Sequence, residues 1–256
     1  MLFFAYGLDE EYQIVMSYRS VTMDSLFGTM WEPHQSSAFL CALLMKPYLA
    51  LFGTSGIVLY LRAAGTLIHL RISILLYRTL CKIVQREYAW FLALIYVNTI
   101  PKQIITPEFG IMQVWFFTLL MISLWNFAAA LKQPSGGAVH LILLGLWMSL
   151  EVLSYPSCIL LAPFVLLVIL WISHRKIWDG LLFVGTCAVC GISYVTLILQ
   201  KITVTEFVNN LSNIVGGDVT HQSTLLTKLQ SAGLSLGKIA LLLALICGIS
   251  MVSYLI

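Results

Sequence analysis

Two adjacent carboxylates, Asp9 and Glu10, follow directly on the apolar stretch Met1-Leu-Phe-Phe-Ala-Tyr-Gly7. At the mouth of a membrane helix such carboxylates are half shielded yet still reach water. Partial burial raises a carboxylate pKa towards the working pH and makes it a better proton acceptor for a hydroxyl nucleophile. The plainer reading, that Asp9, Glu10 and Glu11 mark a helix end entering water, fits the residue types equally well. Arg62 is the second notable group, because a cation at the bilayer centre costs about 2.5–3.5 kcal/mol unless it is paired or wet. It either snorkels to the interface or faces a charge of opposite sign. Thr66 and His69 follow on the same helical face, which makes a polar stripe directed at protein rather than lipid. A hydrogen-bonded core histidine accounts for His69 at least as well as a ligand does.

Other groups carry less. Glu151, beside Ser154-Tyr155-Pro156, reads as a helix end stopped by its proline. Asp218 and His221 are too few to define a metal site. Trp31 and Tyr12 suit stacking on a sugar ring, and equally an interfacial aromatic belt. The six cysteines lie mostly in apolar runs and imply no disulfide framework. Cys187 and Cys190 have redox spacing, but no histidine or lysine stands near to activate a thiol.

The elements that must hold these groups are membrane helices. With 60% hydrophobic and 10% charged residues and a mean hydropathy of +0.93, the 256-residue chain is too apolar for a soluble domain. A net charge of +3 spread over scattered basic residues gives no track for a phosphate backbone, which excludes nucleic acid as a partner. Spans are expected over residues 56–81, 88–100, 109–131, 139–153, 158–172, 180–199 and 237 to the end, about seven in all. The second of these, the stretch from Tyr88, is short and should end irregularly on the outer side, at Pro101-Lys102. Residues 8–55 read as a first outer loop with interfacial helices, in which the run from Ser36 to Phe52, interrupted by Lys46-Pro47, is interfacial or a marginal span. Residues 201–236 form a later outer loop with short helices. The expected fold is thus an all-α, polytopic transmembrane bundle, one domain over residues 1–256. Both ends stop in apolar runs, so the expectation is that the chain is a fragment. Arg78, Lys82, Arg86, Lys132, Arg175 and Lys176 fall in short loops on one side, the expected cytoplasmic face. Asp9, Glu108, Glu206 and Asp218 fall on the other.

The order of these features resembles one family. An acidic pair after a first helix is followed by an aromatic amphipathic stretch from Tyr12 to Phe27 and by Trp31-Glu-Pro-His-Gln35. Leu51-Phe-Gly53, Leu59-Tyr-Leu-Arg62 and Leu76-Tyr77-Arg78 come next. The arrangement, over roughly residues 5–130, is similar to the polytopic GT-C glycosyltransferases, in the branch of protein O-mannosyltransferases, lipid A aminoarabinose transferases and their bacterial relatives. The resemblance implies transfer of a sugar from a polyprenyl-phosphate carrier to a hydroxyl of a glycan, lipid or protein on the extracytoplasmic face of the cell membrane, with inversion. It implies Asp9 as base, with Glu10 beside it. Glu108, within Thr106-Pro-Glu-Phe109, stands near the second acid of many relatives. Where relatives carry a Lys-Pro-Pro-like element this chain has Glu32-Pro33-His34-Gln35, leaving His34, Lys46 or Arg62 to take the lysine's place.

Such a reaction needs a base for the acceptor proton and a cation for the departing phosphate. Arg62, and with it His34, is the expected phosphate contact. Glu10 and Glu108 would shape the site or hold a divalent cation, although no cofactor is firmly implied. Trp31 and His69 complete the expected substrate contacts. The rival expectation is a transporter or flippase for a lipid-linked glycan, in which the same stripe lines a path. A third is an inactive fragment of a transferase.

Overall fold

The computed structural model describes residues 8–30, 34–131 and 137–216, and every regular element among them is helical. Trp31, Lys132, Asp218, His221, the opening Met1-to-Gly7 stretch and the expected last span from Gly237 lie outside the described residues. The helices are α1 (Leu8–Thr22), α2 (Gln35–Phe52), α3 (Ile57–Leu80), α4 (Arg86–Asn98), α5 (Phe109–Ala130), α6 (Ala138–Ser154), α7 (Leu161–Ile172), α8 (Lys176–Leu199) and α9 (Val204–Gly216). Two 3₁₀ turns, Pro101–Gln103 and Pro156–Leu160, precede α5 and α7. By its contacts the chain divides into Met1–Asn210 and Leu211–Ile256; in the second unit the described residues are the last turns of α9.

Four helices, α2, α3, α5 and α8, are long and apolar enough to cross a membrane. α6 and the Pro156–Ile172 segment are apolar but shorter. α4 has 13 residues, roughly 20 Å at 1.5 Å per residue, against a hydrocarbon core of about 30 Å. It stops before Pro101, which cannot donate a helical hydrogen bond. Lys102 and Gln103 beyond it hold left-handed backbone angles, with φ of 53° and 59°. Such conformations are uncommon for residues with a side chain and persist where surrounding contacts dictate them.

Two larger apolar clusters join the helices from α3 to α8, besides smaller ones that hold α1 to α2 and α2 to α3. Leu120 and Phe127 of α5, Leu141, Leu144 and Met148 of α6, Val165 and Ile169 of α7, and Phe183 of α8 form one buried cluster. Ile72, Tyr96, Ile105, Ile111, Met112 and Trp115 form another between α3, α4 and α5. Helix α2 continues through Pro47 and is held at both ends. His34, just before it, stacks on Phe109 at the start of α5, with ring centroids 4.2 Å apart. Tyr48 stacks on Tyr60 near the start of α3 at 4.4 Å. Because α4 returns between them, α3 and α5 start at the same end of the bundle, so α2 runs across that end.

Gly65 sets the height of the α4–α5 connection against α3. A β-carbon there would stand 1.9 Å from the Ile105 carbonyl oxygen, a backbone atom that cannot rotate away. Overpacking of this kind typically costs about 1–3 kcal/mol. Gly65→Ala is expected to lower the thermal unfolding midpoint in detergent. An unchanged midpoint would show that the connection is not seated on α3 at this glycine.

Candidate functional site

At the end of the bundle crossed by α2, three segments meet through charge. The first turn of α1 carries Asp9, Glu10 and Glu11, a position where carboxylates are favoured by the exposed N–H groups of the helix. Glu10 is buried and faces α3. Arg62 grips it with two parallel hydrogen bonds, Nε donating to Oε1 at 2.7 Å and Nη2 donating to Oε2 at 2.6 Å. The Thr106 hydroxyl, from the α4–α5 connection, donates to the same Oε1. Side-chain exposures of 8% for Arg62 and 3% for Glu10 place this pair out of water. The bidentate geometry is the one in which guanidinium and carboxylate bond most strongly.

Beside the buried pair lies an accessible one. Lys102 Nζ donates to the Asp9 carboxylate, with side-chain exposures of 53% and 36% respectively. The same ammonium sits 4.9 Å from the centroid of the Phe109 ring, a cation–π contact. Its hydrogen bond to the Asp9 carboxylate raises the Lys102 pKa above its ordinary value, so the amine stays charged. Adjacent residues of α1 thus face opposite ways: Glu10 into the bundle, Asp9 towards water.

Glu108 caps α5. Its carboxylate accepts from the Gly110 N–H at 2.9 Å and the Ile111 N–H at 2.8 Å, satisfying two donors that a helix start otherwise leaves open. Burial pushes its pKa up, against the opposing pull of those two N–H groups and of Lys102. The nearby Asp9 carboxylate adds to the upward push on Glu108.

The structure therefore brings Asp9, Glu10, Arg62 and Glu108 to one locus, with Lys102 and Thr106 among them. His34 lies at its margin, stacked on Phe109 and tilted against Tyr155 at 5.4 Å. His69 is deeper in the bundle. Its Nδ1 accepts from Trp115 Nε1 at 3.0 Å, and its Nε2 lies 3.2 Å from the Tyr96 and Val97 carbonyl oxygens. Both ring nitrogens are thereby engaged, in the tautomer with the proton on Nε2, and His69 ties α3 to α4 and α5. Trp31 lies outside the described residues. Arg62, expected to meet a phosphate, instead serves the carboxylate next to Asp9. Lys102 was legible only as an interruption after a short span. The signal for it is a cation and an acid, Lys102 and Glu108, each directly after a proline, Pro101 and Pro107, in one connection.

Among the described residues no group of three or more histidine, cysteine or acidic side chains is arranged to hold a metal ion. Compared with known proteins, the chain matches no family model, no curated protein and no solved structure.

The raised pKa of Glu108 has a testable sign. A carboxyl whose folded pKa lies above its unfolded value favours folding most in acid, and that contribution is lost as the pH rises through the two values. Glutamine keeps one of the two accepting oxygens and removes the charge, its amide NH2 standing where the protonated acid has its hydroxyl. Glu108→Gln should match the parent in stability below the ordinary glutamate value of 4.5 and exceed it at neutral pH. Unfolding midpoints measured across that range check this, and a variant less stable at neutral pH contradicts it.

Proposed function

We propose that the protein is a multi-pass membrane glycosyltransferase of the GT-C type. It moves a sugar from a polyprenyl-phosphate carrier to a hydroxyl acceptor at the extracytoplasmic face. The observation that carries this reading is the accessible Asp9–Lys102 pair held over the buried Glu10–Arg62–Thr106 assembly. A base and a cation lie side by side, at the end of the bundle where membrane, water and protein would meet. In this reading the bundle has about seven spans, and α1 and α2 are interfacial helices lying across its outer end. The basic residues Arg78, Lys82, Arg86, Arg175 and Lys176 occupy the opposite end, in keeping with a cytoplasmic location.

The chemistry assigns distinct tasks. An Asp9 carboxylate oxygen takes the proton of the acceptor hydroxyl as its oxygen attacks the anomeric carbon. The bond from that carbon to the carrier phosphate breaks on the opposite side, and the phosphate leaves with the bonding electrons. Lys102 offsets the negative charge that develops there. Its pairing with Asp9 is exposed, and such pairs are weak, worth about 0–1 kcal/mol, so the ammonium can turn from carboxylate to phosphate when a donor arrives. Arg62 and Glu10 act through Asp9, as positioning residues. Phe109 and His34 form an aromatic rim beside the ammonium, suited to the face of a sugar ring.

Asp9→Asn is expected to abolish transfer of labelled sugar from polyprenyl-phosphate donors while leaving donor binding intact, with a loss in rate of about 10²–10⁴-fold. Lys102→Ala should weaken donor binding, with partial recovery in Lys102→Arg. Undiminished transfer by Asp9→Asn would end the base assignment. Movement of a lipid-linked glycan without any transfer would instead indicate a transporter.

A further inference from the structure

Away from Asp9 and Lys102, a cavity of about 280 Å³ opens between the end of α1, the middle of α2 and the last turn of α8. Its walls are of two kinds. Phe39, Leu43 and Leu197 give an apolar side, while Lys46 and Lys201 supply two ammonium groups. Leu43 and Leu197 are also exposed on the helix surfaces, so the apolar wall runs out to the face that acyl chains would cover. Asp24 is the acid in the lining, and its charge is already met: Arg19 Nε donates to it at 2.5 Å and the Thr29 hydroxyl at 3.0 Å. The Arg19 hydrogen bond, followed by that from Thr29, holds its carboxyl below the ordinary value. Taken with Arg19, the walls carry an excess of positive charge.

We propose that this cavity binds the phosphate headgroup of an anionic membrane phospholipid. Three features select that occupant. The volume is just below the roughly 300 Å³ at which small-molecule pockets begin, enough for a phosphate and its first carbons and too small for a whole lipid. Two lysines from separate segments, Lys46 in α2 and Lys201 just after α8, line it, and each basic residue near a membrane surface adds to attraction for anionic headgroups. The apolar wall leads from the cavity to the exposed Leu43 and Leu197, where the attached chains would leave it. A bound headgroup would bridge Lys46 of α2 to Lys201 after α8. It would thereby fasten the helix that crosses the end of the bundle to a membrane span. The site is separate from the Asp9–Lys102 pair and does not depend on the transferase reading.

The test uses the full chain in nanodiscs of phosphatidylcholine with or without phosphatidylglycerol, and counts retained lipid by native mass spectrometry. Retention of phosphatidylglycerol over phosphatidylcholine is expected. It should fall about fivefold for Lys46→Gln or Lys201→Gln and further in the double variant, remain in the Lys→Arg forms, and be unaffected by Lys176→Gln at the far end of α8. Both lysines are exposed, so these variants should fold, as a helical circular dichroism spectrum would verify. Equal retention of the zwitterionic lipid, or undiminished retention by the double variant, overturns the proposal. So does protection of Lys46 and Lys201 from acetylation by inorganic phosphate as strong as by phosphatidylglycerol, which would assign the cavity to a soluble anion.

Discussion

The buried ion pair between Glu10 and Arg62 is the interaction on which the arrangement of charge in this protein rests. Removing two ions from water costs several kcal/mol for each. That cost is offset only where geometry is good and the remaining lone pairs are met. Here the two groups meet through parallel hydrogen bonds, and Thr106 supplies a further donor to the carboxylate. Arg62 is thereby accommodated within a span of 24 residues without a free charge in the apolar layer. The pair joins α1, α3 and the α4–α5 connection, elements far apart in the chain.

From this constraint follows a site in two layers. The inner layer fixes the first turn of α1 by Glu10, and adjacency along the chain then fixes Asp9. The outer layer, Asp9 with Lys102, remains open to water and free to exchange partners. Lys102 reaches Asp9 from a backbone held in the left-handed region, and Glu108 secures the next turn by capping α5. Gly65 allows the connection carrying Ile105 and Thr106 to approach α3 closely. His69, two turns along α3 from Arg62, ties α3 to α4 and α5 below the charged layer. The chemistry proposed for the site needs this division, since a base that moves with its support would lose its alignment with the reacting carbon.

Much of the helical framework was legible because apolar run length is a direct physical requirement of a membrane span. The expected spans at 56–81 and 109–131 correspond to α3 and α5 almost residue for residue. α8 begins at Lys176, earlier than expected at Gly180, because helix formation admits Lys176 and Asp179 where an apolar window does not. Charged residues beside or within apolar runs drew attention to Asp9, Glu10 and Arg62 for the same energetic reason, whereas Glu108 was reached through the family resemblance. Their partners were not legible. Glu10 meets a cation 52 positions away and a hydroxyl 96 positions away, and Asp9 meets Lys102 at a separation of 93. No local spacing encodes such meetings. Lys102, next to a proline at the end of a short helix, looked like a boundary and lies beside the candidate base.

A double-mutant cycle tests the claim that Glu10 and Arg62 form one buried unit. Glu10→Gln, Arg62→Met and their combination would be compared by unfolding free energy in a common detergent or bicelle. Each single change strands a charge and should cost about 3–5 kcal/mol. The double variant, which strands none, should be clearly more stable than the sum of the two losses requires. Losses that simply add, within about 0.5 kcal/mol, would mean that the two side chains are not coupled, and the foundation proposed for Asp9 would be absent.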